Sequence, residues 1–364
     1  MKCQAEEIFE NSILPNQLQD LPNSAGLVLF TDEQNSPISL LTTANIKRVA
    51  ENKLAEQVEK SKRTDLKSIT AKIYYTVCRC KFRLGLKHLD AVKKIFGQNY
   101  KDYITLVWPW FLVLNTNKNI PFFHVTKKPS FEKNERILGP FPTQKSASIY
   151  LNTLQDVFKL CRRSDLAENQ EKAKSCPYLQ MDACVGVCTG KVRCEEYKNI
   201  IENAFTAGTE PAAAINNFQE EMQTAAKELN FEKAAMLKKK IDKLAILKKQ
   251  SYKWTNDLKN LKIIHIDKSD KIKPESSKIK KQTYAIFIMN GLQIIDAGDF
   301  LPDNPETINN VINKNIASLS DLPDDDMLER FSIVTYFLYR SKPAGVWIKN
   351  ENNFDFAAAA MQVI

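Results

Sequence analysis

Four cysteines, Cys161, Cys176, Cys184 and Cys188, lie close together in a chain that contains eight. The stretches between them are fourteen, seven and three residues long. Thiolates are soft ligands, and four of them complete a tetrahedral zinc site or hold an iron–sulfur cluster. The spacing lacks the paired C-x-x-C knuckles of a zinc ribbon. It therefore points to a metal or cluster without choosing which. Free thiols in a reducing cytosol are the plain alternative, and disulfides come third because nothing marks the chain as secreted. Cys194 lies just beyond as a spare ligand. Cys78 and Cys80 alternate with Arg79 and read as ordinary strand residues.

The bulk properties bound what surrounds these cysteines. A length of 364 residues with 43% hydrophobic content allows two to four domains with real cores. The first residues show no basic-then-apolar signal pattern, so a cytoplasmic protein is expected. The longest apolar run, YITLVWPWFLVLN, is interrupted by Pro109 and too short to span a bilayer; it reads as a buried strand pair. Lys and Arg number 52 against 43 Asp and Glu, a formal charge of +9. That balance permits DNA contact through phosphate neutralisation without requiring it.

Element signals follow along the chain. Residues 1–20 read as a loose arm or short helix. Gly26–Phe30 and Ile38–Leu41 read as a hairpin around the turn residues 32–37. Residues 42–60 carry helical spacing, 71–80 are β-rich, and 86–96 form an amphipathic helix. Strands are expected within 103–115 and 122–126. The motif GPFPT, residues 139–143, precedes a helix that delivers Cys161, and another helix starts near Glu195. Phe218, Met222, Ala225, Ala226 and Leu229 recur at helical intervals, as do Ala234, Ala235, Leu237, Ile241 and Leu244. Asn230 and Phe231 interrupt them, which predicts a two-helix antiparallel hairpin with Phe231 packed at the turn. So small a hairpin must dock on the rest of the chain or pair with another helical hairpin. The basic segment 268–282 reads as a flexible loop or hairpin tip. Two strands around Asn290-Gly291, a helix over 328–339 and a strand GVWIKN complete the pattern.

These local patterns converge. The chain resembles the UvrC family, the nuclease subunit of bacterial excision repair, over the N-terminal part of a full-length member. CPYLQMDACVGVCTG with its following EEY resembles the family's cysteine region, and GPFPT its GPYP-type motif. Met222, Ala225, Ala226, Leu229, Phe231, Glu232, Ala234, Ala235 and Leu237 match the UVR motif, which the resemblance implies as a binding site for UvrB. The resemblance also implies a 4Fe–4S cluster on Cys161, Cys176, Cys184 and Cys188, with zinc as the alternative. It implies an α+β multidomain chain: a GIY-YIG-like domain over 20–102, a cysteine-bearing middle region over 103–204, a UVR hairpin over 205–250, and an incomplete RNase H-like region over 251–364.

Against the GIY-YIG pattern the catalytic side chains are replaced. The first tyrosine position carries Val28, and the second motif reads Ser39-Leu40-Leu41. The arginine position falls on Val49 beside Arg48. The metal-binding glutamate falls on His88, with Asp90 nearby. Phosphodiester cleavage needs such groups because charge builds on the phosphoryl oxygens. Arg48, His88 and Asp90 are the remaining catalytic candidates. His88 alone reads better as a surface or core histidine, and Asp324–Asp326 as a helix N-terminus. The family's second nuclease and its helix-hairpin-helix pair are expected to fall beyond residue 364. The leading expectation is a non-catalytic UvrC-like repair protein that binds UvrB. The alternatives are a diverged structure-specific endonuclease and a nucleic-acid-binding or scaffold module outside excision repair.

Overall fold

The computed structural model describes residues 5–55, 66–166, 173–273, 279–301 and 324–349. Three four-stranded antiparallel sheets organise them. In the first, β1 (Asn11–Ile13), β2 (Gly26–Thr31), β3 (Pro37–Thr43) and β4 (Lys72–Val77) lie in the order β1-β4-β2-β3. The β2–β3 hairpin turns where expected. The Asp32 carboxylate accepts from the backbone N–H groups of Gln34 (2.9 Å) and Ser36 (2.7 Å), which supplies the turn that the sequence signals. The arm before β2 is more ordered than its polarity suggests. Ala5 and Phe9 are buried against the sheet, and β1 pairs with β4.

The period-2 pattern of β2 buries both faces of this sheet. Val28 and Phe30 face α1 (Ile46–Leu54), which contributes Ile46, Ala50 and Leu54. Leu27, Leu29 and Tyr74 face α2 (Lys81–Phe96), which contributes Leu84, Ala91 and Ile95. Helix α1 ends at Leu54, inside the range of its spacing; the remainder of the expected helix, residues 56–60, lies outside the described residues. Gly26 sits so close to β4 that a Cβ there would lie 2.2 Å from the Thr76 carbonyl oxygen.

Helix α2 begins earlier than its amphipathic pattern indicates. Cys78 and Cys80 follow β4 rather than lying in it, correcting their reading as strand residues. Cys80 instead caps α2, its sulfur accepting from the Arg83 N–H at 3.5 Å. Only the second half of the apolar run 103–115 is a strand, β5 (Trp110–Asn115). Pro109 cannot donate to a ladder, and Ile104, Leu106 and Trp108 instead pack on the core edge. The expected strand pair is thus a single strand.

Strand β5 lies between β6 (Phe123–Thr126) and β7 (Glu135–Phe141), with β8 (Asn256–Asp257) beyond β7. Helix α3 (Gln144–Phe158) crosses this sheet, started by the Thr143 side chain accepting from the Ser146 N–H at 3.1 Å. Helices α4 (Cys194–Thr209), α5 (Pro211–Lys227) and α6 (Phe231–Leu244) follow. Ile215 and Leu244 join the core under α3, so the α5–α6 hairpin is docked at its base.

The third sheet has the order β11-β10-β9-β12, from β9 (Lys262–Ile272), β10 (Lys281–Asn290), β11 (Gln293–Phe300) and β12 (Val346–Lys349). Residues 268–272 and 281–282 are paired strand, which corrects the flexible-loop expectation for that part of 268–282; residues 274–278 lie outside the described residues. Alternation in this stretch was hidden by lysines, whose apolar stems can lie along a sheet while their charged ends reach water. Helix α7 (Asp325–Leu338) is capped by the Asp324 carboxylate, which accepts from the Met327 N–H at 2.7 Å, as the acidic cluster predicts. One core joins the parts. Phe82 of α2 meets His265, Phe287, Phe337 and Trp347 edge-on, with centroids 4.8–5.6 Å apart.

Candidate functional site

Three places carry the residues singled out by type and spacing. The first is the cysteine loop. Helix α3 ends at Lys159, in the left-handed conformation with φ 51°, which turns the chain so that Cys161 points inward. Cys176 precedes the short helix Pro177–Gln180, and Cys188 lies in the turn Val187–Thr189 between Gly186 (φ 78°) and Gly190 (φ 77°). All four sulfur-bearing residues are buried. The Cys161 N–H donates to the Tyr197 hydroxyl at 3.1 Å, and the Gly186 N–H donates to the Cys184 sulfur at 3.4 Å.

The Cys161 thiol beside the Cys184 sulfur holds Cys184 below the ordinary thiol range, against the opposing effect of burial. The same contact and burial push Cys161 up. Burial, with Cys184 nearby, also pushes Cys188 up. Arg162 and Lys191 supply nearby positive charge. A buried set of four thiols with a backbone N–H on sulfur and cations alongside is a donor set suited to thiolate-bound metal. Cys194 stands apart, exposed at the start of α4, and is not brought into the set.

The second place is the hairpin tip. Helix α5 closes with Leu229 at φ 60°. The Asn230 N–H donates to the Ala225 carbonyl (2.8 Å) and the Leu229 N–H to the Ala226 carbonyl (3.1 Å), a Schellman closure. Asn230 then caps α6 by accepting from the Lys233 N–H at 3.1 Å. A leucine with positive φ is sterically costly, about 1–2 kcal/mol. The nine motif residues divide into two sets. Ala225 and Leu237 are buried between the helices, with Met222 and Ala234 half-buried. Ala226, Leu229, Phe231, Glu232 and Ala235 are exposed. Phe231 is 66% exposed and Leu229 73%, so the expected packing of Phe231 at the turn is not found. The turn brings the ring to the outside, where no element among the described residues covers it. Sequence reasoning missed Met236, which is 57% exposed beside them; its place between two matched positions was the available signal.

The third place holds the catalytic candidates, which the fold separates. Val28 is fully buried, paired with Leu41 and Tyr75 beneath α1. By register that face also carries Ser39, Thr43, Tyr75 and Asn11, but no charged residue of the paired strands. Arg48 is exposed on α1. Asp90 is engaged by Arg330 of α7. His88 is half-buried in a groove of about 480 Å³ lined also by Thr42, Leu84, Tyr103 and Tyr336. Burial lowers its pKa, which favours the neutral imidazole. Among the described residues, no hydrogen bond or ion pair joins Arg48, His88 and Asp90.

Comparison with known proteins bears on the cysteine-bearing part directly. Residues 109–207 match the family described as UvrC/Cho excinuclease, middle domain. The chain is similar to the UvrC family there and beyond. It is 24% identical over 248 residues to the UvrABC system protein C of Legionella pneumophila (strain Lens), covering 64% of this chain and 38% of that one. It is 25% identical over 236 residues to that of Clostridium beijerinckii, covering 62% and 37%. The match to the Coxiella burnetii (strain Dugway 5J108-111) protein reaches 329 residues at 24% identity, covering 86% and 50%. The chain thus spans half or less of the length of these UvrC relatives. No solved structure matches it. Among the described residues no helix is long and apolar enough to cross a membrane.

Proposed function

We propose that this UvrC-like chain acts in nucleotide excision repair as a non-catalytic partner of UvrB, which it engages through the α5–α6 hairpin. The observation that carries the reading is the uncovered apolar tip: Leu229 and Phe231 stand in solvent at a turn closed by strained backbone, and Met236 is exposed farther along α6. Exposed apolar clusters of this kind mark interaction sites, and backbone strain is retained where function holds it. A matching hairpin on UvrB would cover these side chains while Ala225 and Leu237 keep the two helices together. The expectation of no cutting rests on the sheet face at Val28 and Leu41, where among the described residues no group of histidine, cysteine or carboxylate side chains converges. DNA contact is left to the assembly, to which a net charge of +9 is suited.

In this reading Cys161, Cys176, Cys184 and Cys188 hold a 4Fe–4S cluster, with zinc as the alternative occupant of the same sulfurs. Either would cross-link a loop-rich segment with little core of its own. The experiment that tests the proposal is a titration of this chain against purified UvrB by calorimetry. Saturable one-to-one binding is expected; the absence of binding at tens of micromolar would remove the proposal.

A further inference from the structure

Cys80, His265 and Asp267 form a second group of ligand-type side chains, remote in sequence from the cysteine loop. The Cys80 sulfur, one imidazole nitrogen of His265 and one carboxylate oxygen of Asp267 lie within 4.8 Å of one another, and all three residues are buried. Cys80 comes from the start of α2, and the other two come from β9. Side chains two apart on a strand share a face, so β9 directs His265 and Asp267 to the same side, where α2 delivers the thiol.

The histidine is the telling member. Its Nδ1 lies 3.1 Å from the Val346 carbonyl oxygen. A carbonyl only accepts, so Nδ1 carries the proton and Nε2 keeps its lone pair. His265 has no solvent exposure, and its Nε2 has no hydrogen-bond partner. A buried acceptor left unmet is destabilising. The ring is held on its faces and edge by Trp347, stacked at 3.9 Å, and Phe82, at 5.2 Å. A backbone carbonyl on Nδ1 with Nε2 fixed and free is the arrangement that orients a histidine toward a metal. Burial keeps the imidazole neutral, as a ligand must be.

We propose that Cys80, His265 and Asp267 bind one structural zinc ion. In tetrahedral zinc sites with bonds of ~2.0–2.3 Å the ligand atoms stand roughly 3.3–3.8 Å apart, so the group needs to contract by no more than about 1.5 Å. The charges balance: a thiolate and a carboxylate neutralise the dication, and no net charge is left in the core. Burial holds the Cys80 thiol protonated, against a smaller opposing effect of the Arg83 N–H that points at its sulfur, so the cation would take the place of the thiol proton. The alternative internal arrangement, a Cys80 thiol donating to Asp267, leaves the His265 nitrogen unmet; the ion satisfies all three. Three protein ligands leave a fourth position for water. The site is sealed between α2 and β9, so its role is to clamp the first sheet's helix to the third sheet. Ion pairs of Arg83 with Asp296 and Asp299, both at 2.7 Å, already bridge the same two parts.

The test is a count of zinc and iron in the purified full chain, with zinc K-edge absorption and a Cys80→Ser variant. One zinc per chain is expected beyond whatever the cysteine loop holds, with nitrogen or oxygen scatterers beside sulfur. Cys80→Ser should lose one zinc equivalent and leave the loop's metal unchanged. Wild-type chain without zinc after reconstitution, or zinc ligated by sulfur alone, would overturn the proposal. So would a folded Cys80→Ser chain that keeps its full zinc content. If Cys80→Ser does not fold, the wild-type count and absorption edge decide by themselves.

Discussion

Phe231→Ala separates two roles that a motif match leaves combined. A phenylalanine side chain presents about 200 Å². With 66% of it exposed in the hairpin, about 130 Å² remains for a partner to cover. At ~25 cal/mol per Å² that area is worth ~3 kcal/mol, or about 100- to 200-fold in affinity. The third already covered, about 70 Å², contributes no more than ~2 kcal/mol to folding. Leu237 is the internal control. It is only 5% exposed between α5 and α6, and Leu237→Ala should cost about 2–5 kcal/mol of stability. Calorimetric titration against UvrB and thermal melts would be run on both variants. Phe231→Ala should melt within a few degrees of wild type and bind at least 100-fold more weakly. A Phe231→Ala chain that binds UvrB normally, or one destabilised as much as Leu237→Ala, would refute the reasoning.

Other substitutions probe the frame that carries the hairpin. Phe82→Ala empties the centre of the aromatic cluster linking α2 to the third sheet and should cost about 3–5 kcal/mol, read by denaturant unfolding. Gly26→Ala drives a methyl to 2.2 Å from the Thr76 carbonyl oxygen and should cost at least ~2 kcal/mol, measured the same way. Burial pushes the Asp326 carboxyl up, but hydrogen bonds from Lys93 and Arg330 more than reverse this and hold it below its ordinary 3.8. Its contribution is therefore complete above that value and lost as pH falls through the lowered one. Asp326→Asn should melt earlier than wild type at neutral pH and lose less on acidification from about pH 5 to pH 3.

Much of the architecture was legible because it depends on local chemistry. Asp32 and its neighbours write the first turn, Asn290-Gly291 writes the third-sheet hairpin, and Asp324 writes the start of α7. The paired alanines of α5 and α6 announce a close helix pair. What the sequence could not carry was the outcome of long-range placement. Phe231 has the same side chain whether it packs or projects, and only the direction of the turn at Leu229 decides. The lysines of 268–282 obscured the paired ends of the β9–β10 hairpin, because their polarity masks the alternation of a strand. Cys80 looked like a strand residue because its companions, His265 and Asp267, are more than 180 residues away in the chain. The cysteine loop was conspicuous for the opposite reason, since its four members are near neighbours in sequence.

The most direct measurement is incision on a lesion-bearing duplex loaded with UvrA and UvrB in the presence of ATP and magnesium. This chain alone should leave the duplex intact. Added ahead of an active UvrC, it should slow incision, and Phe231→Ala should relieve that delay. Nicks made by this chain itself, and lost in His88→Ala, would contradict the account and place a working nuclease in the groove beside α2.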